Sequence, residues 1–190
     1  MSYMTSVLAH PGWRHWLWLG SLLAASLGFT LGFACAVPFA AFGAVAALTL
    51  GRRDAILITI ALWLLNQIIG FTVLHYPWDA MTLAWGAILG VVALLSTATA
   101  LAAVGGRRVS LVAALTSVVA AFAVYEGSLY LVSALAMGGT EDFAAATVLQ
   151  ILEINAAAFA GLLAIGWLIA KAAGSRTPLF SPAAAPVVSR

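Results

Sequence analysis

Charge is what this sequence has least of. Eight Lys and Arg and six Asp and Glu are 7% of its 190 residues, where a soluble domain carries roughly 25%. That scarcity excludes a solvated globular surface. Cysteine is nearly missing too. Cys35 stands alone, which excludes an intramolecular disulfide and a cysteine-based metal cluster. Near a helix end it is open to a ligand in principle; the plainer reading is a small packing residue in an Ala-rich segment. Enzymatic signatures are also lacking. No P-loop, Gly-x-Gly-x-x-Gly or Gly-x-Ser-x-Gly occurs, so the chain has no ATP site of its own and no serine-hydrolase elbow. His-x-x-x-His, Glu-x-x-His and Cys-x-x-Cys pairs are absent, which argues against an all-protein metal cage. Catalytic residues: none are expected.

What the chain has instead is hydrophobic length. Apolar residues make up 64% of it, in runs of about 20 residues that match a hydrocarbon core roughly 30 Å thick. Nothing alternates in the manner of barrel strands, so the spans are helical and the fold class is all-α. Spans over 16–33, 38–50, 54–74, 81–104, 109–137 and 142–173 place every base on one side: Arg14, Arg52, Arg53, Arg107, Arg108, Lys171, Arg176 and Arg190. Three loops without Lys or Arg, around Ala34–Pro38, His75–Ala80 and Gly138–Phe143, fall on the other. Bases resist translocation, so this pattern predicts six transmembrane helices with both termini in the cytoplasm, N-in and C-in. Residues 1–15 form a cytoplasmic lead, 16–173 the transmembrane domain, and 174–190 a disordered tail. The net charge of +2 reflects loop arginines, so no nucleic-acid partner is expected.

Tryptophans fit this frame as interfacial residues, with Trp13, Trp16, Trp18 and Trp167 at the inner boundary and Trp78 at the outer one. Trp63 and Trp85 read as packing inside the bundle. The first boundary is the weakest. Residues 16–50 carry no charge, and as one helix they would run roughly 50 Å, too long for one span. A reversal near Gly32–Pro38 leaves a short second span that is tilted or partly re-entrant. Ala34-Cys35-Ala36 also resembles a signal-peptide cleavage site, and a cleaved leader is the competing reading.

Two features point beyond architecture. Gly20, Ala24, Gly28 and Gly32 recur every four residues, a smooth stripe that another backbone can approach closely. It serves either packing within the bundle or docking of another membrane subunit. Polar residues in the spans are the second feature, because each needs a partner or a purpose in lipid. At 1.5 Å per residue, Asn66 lies roughly 18 Å from the inner face, Glu126 roughly 25 Å from it, and Glu153 roughly 16 Å from the outer face. Glu126 and Tyr130 share a helix face, as do Gln150 and Glu153. A polar cluster therefore gathers in the outer half beneath the loops of His75 to Asp79 and Gly138 to Asp142. Two carboxylates at one depth with aromatic neighbours point to a ligand pocket; interhelical hydrogen bonding is the alternative. His75 is the candidate for ligand chemistry, since neutral imidazole is a common metal ligand.

Six spans in 190 residues, the small-residue first helix and an outward site under two loops resemble the substrate-binding S subunits of energy-coupling-factor vitamin transporters. Val37-Pro38-Phe39 through Ala47, then Gly51-Arg52-Arg53, is similar to that family's second span and inner turn. Leu65-Asn66-Gln67 to Tyr76-Pro77 looks most like the small solitary cobalamin transporters of Gram-negative bacteria. The resemblance implies a bacterial inner-membrane location. It also implies a first helix (Gly20, Ala24, Gly28, Gly32) that docks a transmembrane coupling subunit with ATPases, or a protein acting alone. It implies no cofactor of the protein's own and cobalamin as bound substrate. Those transporters ligate the corrinoid cobalt with a cysteine near the third loop. This chain has none there, and His75 stands in that neighbourhood as an alternative cobalt ligand. The expected substrate site is Asn66, Gln67, His75, Tyr76, Trp78, Asp79, Trp85, Glu126, Tyr130 and Glu153. Two other readings stay open: a structural or assembly subunit of a membrane complex, and a proton-coupled carrier using Glu126 and Glu153.

Overall fold

Apolar segments that satisfy their backbone groups internally become helices, and the chain obeys this wherever it is described. The computed structural model describes residues 12–33, 37–105 and 110–172. Six α-helices follow in order: α1 (Trp13–Phe33), α2 (Phe39–Thr49), α3 (Arg52–Thr72), α4 (Ala80–Val104), α5 (Leu111–Val132) and α6 (Ala145–Ala172). A π-helical turn (Ser133–Met137) extends α5, and a 3-10 turn (Thr140–Phe143) leads into α6. There is no strand among the described residues. The expected segment boundaries agree with these elements to within a few residues. Cys35, Arg107, Arg108, Arg176, Arg190 and the tail from 174 lie outside the described residues.

Four of these stretches are long and apolar enough to cross a membrane: α3, α4, α5 with its π-turn, and α6. In α5 and α6 only 22% of the most apolar window is buried inside the protein. Apolar surface left uncovered on that scale marks a membrane protein rather than a soluble one. Helix α1 has 21 residues but opens on Arg14 and His15. Helix α2 differs in kind. Its 11 residues reach about 16 Å, half a hydrocarbon core.

That short helix is the centre of the molecule. Every residue from Phe39 to Leu48 is buried, because α2 packs against α3, α4, α5 and α6 at once. Helix α1 closes the ring: Trp18 Nε1 donates to Thr49 Oγ1 at 3.0 Å, and Phe29 meets Phe42 edge-on at 6.0 Å. Trp18 is therefore a core residue, only 1% exposed, and not the interfacial tryptophan its position suggests. Trp13, Trp16 and Trp167 are exposed, as expected.

Small residues let the centre pack tightly. A Cβ on Gly43 of α2 would stand 3.2 Å from the Cα of Thr97 in α4, so only glycine admits that approach. Thr97 Oγ1 lies 3.0 Å from Thr59 Oγ1 of α3, joining three helices at one point. Ser96 Oγ donates to the Ala121 carbonyl at 2.8 Å and ties α4 to α5. At the end where α1 and α3 begin, His15 Nε2 sits 3.7 Å from Asp54 Oδ2. Arg14, Arg52, Arg53 and Lys171 all belong to this basic end.

Candidate ligand site at the loop end

The opposite end is built by the loops α3–α4 and α5–α6. Helix α3 finishes with the Val73 and Leu74 amides both donating to the Ile69 carbonyl, at 2.8 and 3.0 Å. His75 then turns left-handed, with φ +56°, the conformation that ends many helices but that most side chains resist. This reversal sends the Tyr76 amide back to the Gly70 carbonyl at 3.0 Å. The Tyr76 ring lies where a Cβ on Gly70 would stand, 2.6 Å from it. Phe71 meets Tyr76 edge-on at 6.2 Å and lies 4.4 Å from the Trp78 ring. Asp79 starts α4: its Oδ1 accepts from the Thr82 amide at 2.7 Å. That bond holds the Asp79 carboxyl below the usual carboxylate range. His75, Trp78 and Asp79 are all exposed.

Beneath this loop, α3 presents its polar residues to α4 and α1. Trp63 Nε1 donates to the Gly86 carbonyl at 2.8 Å, and its indole fills the space left by Gly90. Gln67 lies against Gly86 and donates to Asn66 Oδ1 at 3.2 Å. Buried Asn66 donates in turn to Thr30 Oγ1 of α1 at 3.3 Å. The expected polar residues of α3 are thus engaged with the bundle itself. Trp85 is half-buried on α4. Thr30, Gly86 and Gly90 were not singled out from sequence, although the four-residue spacing of the two glycines marks one smooth face of α4.

Glu126 behaves differently. It is only 8% exposed, and its Oε2 is buried with no hydrogen-bond partner among the described residues. Such an orphan oxygen in a spanning helix is uncommon, because unpaired polar groups away from water are costly. Beside it, Tyr125 is buried and meets Phe39 of α2 at 6.3 Å. One turn toward the loop, Tyr130 stands edge-on to Phe143 at 5.6 Å and is 47% exposed. Ser133 Oγ donates to the Gly138 carbonyl at 2.6 Å and closes the π-turn.

Helix α6 places Glu153 differently from Glu126. Glu153 and Gln150 are exposed, and Asn155 is buried. At 100° per residue, positions 153 and 155 lie on nearly opposite faces, and the bundle takes Asn155. The two glutamates therefore sit in different surroundings, one buried and one exposed. No group of three or more His, Cys, Asp or Glu side chains gathers for a metal among the described residues.

Gly20, Ala24, Gly28 and Gly32 are all exposed on α1. A Cβ on any of the three glycines would meet nothing within 4 Å among the described residues. The stripe is not consumed by packing within the bundle.

Charge is divided between the two ends. Asp54 is at the basic end, while Asp79, Glu126, Glu141, Asp142 and Glu153 lie toward the loops, where no Lys or Arg occurs among the described residues. Comparison with protein-family models, curated proteins and solved structures gives no match.

Proposed function

We propose that this protein is a six-helix, N-in and C-in protein of a bacterial inner membrane that captures a small vitamin-like solute at its loop end and transports it. The orphan oxygen of Glu126 carries this reading. A buried carboxyl without a partner in a membrane span is costly to keep, and a ligand group that completes its hydrogen bonding accounts for it. The base-free loops favour the outer face for capture, by the bias of Lys and Arg toward the cytoplasm. Tyr130 and Phe143, with Tyr76 and Trp78 across the end, offer aromatic surface.

The resemblance makes a corrinoid the first candidate solute, with the exposed imidazole of His75 as cobalt ligand and Asn66 and Gln67 beneath it. The test is an absorption spectrum of detergent-purified protein incubated with cobalamin and desalted, beside His75→Ala. A retained corrinoid spectrum, shifted in wild type and unshifted in the variant, is expected. A colourless wild-type protein would remove the corrinoid and leave solute capture to a wider screen.

A second reading has its own observation. The exposed small-residue stripe of α1 suits close docking of another membrane helix. In a transporter it takes the coupling subunit; in a structural or assembly subunit it is the whole function. Stable co-purification with a complex, without solute binding, would favour the latter.

A further inference from the structure

Among the described residues, no Lys or Arg shares Glu126's half of the bundle. Among the described residues, Arg14, Arg52, Arg53 and Lys171 all belong to the opposite end, and Asp54 there is matched by His15. The loop end holds Asp79, Glu141 and Asp142 exposed at its rim and Glu126 buried below. A rim of one charge sign raises the local concentration of solutes of the other sign and speeds their arrival. One turn toward the rim from Glu126, Tyr130 stands edge-on to Phe143 at 5.6 Å and is 47% exposed. A carboxylate under aromatic rings is the combination that recognises organic ammonium groups.

From this arrangement we infer that the solute taken up at Glu126 is a small organic cation, a protonated amine or quaternary nitrogen, with the carboxylate of Glu126 as its counter-charge. The inference rests on the capture reading above but not on a corrinoid. A metal ion fits less well. Bare cations of the Ca²⁺ type need six or more oxygen ligands, and no cluster of acidic or His side chains converges among the described residues. An organic cation needs one carboxylate and apolar surface.

The experiment is thermal melting of the detergent-purified full chain with graded concentrations of choline and thiamine as cationic probes. Biotin and cyanocobalamin serve as probes without a comparable ammonium group. A cationic probe is expected to raise the melting temperature with saturation, at least tenfold more weakly in Glu126→Gln and unchanged in Asp54→Asn at the opposite end. Glu126→Leu is expected to melt above wild type and to lose the response, because it removes an unpaired polar group without needing a ligand. Stabilisation by biotin or cyanocobalamin that persists in Glu126→Gln would overturn the cation inference and leave solute capture standing. No stabilisation by any probe, with Glu126→Leu melting below wild type, would make Glu126 structural and overturn both.

Discussion

Asn155 Oδ1 accepts a hydrogen bond from the backbone amide of Ala41 at 3.1 Å, joining positions 114 apart in sequence. The amide belongs to the first turn of α2, a helix end buried in the centre of the bundle where water cannot serve the free N–H groups. Asn155 Nδ2 is held by the Ile151 carbonyl at 2.9 Å, so the side chain is fixed at both ends. One residue of α6 thus caps another helix in place of a local Ser or Asp; Pro38 precedes α2 and has no side-chain cap to give.

Replacing Asn155 by Ala or Leu should therefore destabilise the bundle by about 2 kcal/mol, a melting shift of roughly 5 °C. Leu tests the cause. If Asn155 only fills space, Leu restores the melting temperature; if it caps α2, both variants fall together.

At His75 the left-handed backbone separates a turn-forming role from a ligand role. His75→Ala keeps the strain of φ +56° without the local hydrogen bonding open to polar side chains, whereas His75→Gly removes the strain, worth about 1 kcal/mol. Glycine should melt at or above wild type and alanine below it. Loss of solute binding in both variants would assign the imidazole to the ligand, because only one of them disturbs the turn.

Two glycines in similar helices should respond in opposite ways. Gly43→Ala forces a methyl to within 3.2 Å of the Thr97 backbone and should cost about 1–3 kcal/mol. Gly28→Ala meets nothing within 4 Å and should gain up to about 1 kcal/mol from helix propensity. Melting of the two purified variants decides this directly. A bulky Gly28→Leu should leave the isolated protein stable and weaken association with any docking subunit.

Asp79 makes a pH prediction. Its folded carboxyl titrates below the ordinary value of 3.8, first through the Thr82 amide that it accepts from. A depressed folded pKa means the cap contributes fully above about 3.9, the unfolded value, and fades as pH falls through the folded one. Asp79→Ala should thus melt lower than wild type near neutral pH. The difference should narrow as pH drops below about 3.9, and a gap that persisted at low pH would exclude the cap as its source.

What the sequence determined by itself is the part governed by short-range chemistry. Apolar runs and their breaks place the six helices of the described residues, since an apolar segment either finds its hydrogen bonds within itself or does not form. The segregation of Arg14, Arg52, Arg53 and Lys171 from the base-free loops is readable for the same reason, because charge and hydropathy are properties of single residues. The stripe from Gly20 to Gly32 is also legible as a stripe. Which way it faces is not, and the structure turns it outward.

Tertiary structure decided the rest, and the reason is rotation. A helix apolar on every side, such as α2, carries no sign of which side is core, and only its five neighbours make it the central post. Spacing says that Glu153 and Asn155 oppose each other across α6 but not which one turns inward. Trp18 resembled its neighbours Trp13 and Trp16 until Thr49 claimed its indole. For Glu126 the deciding fact is a missing partner, and a missing partner can be seen only once every surrounding helix is in place.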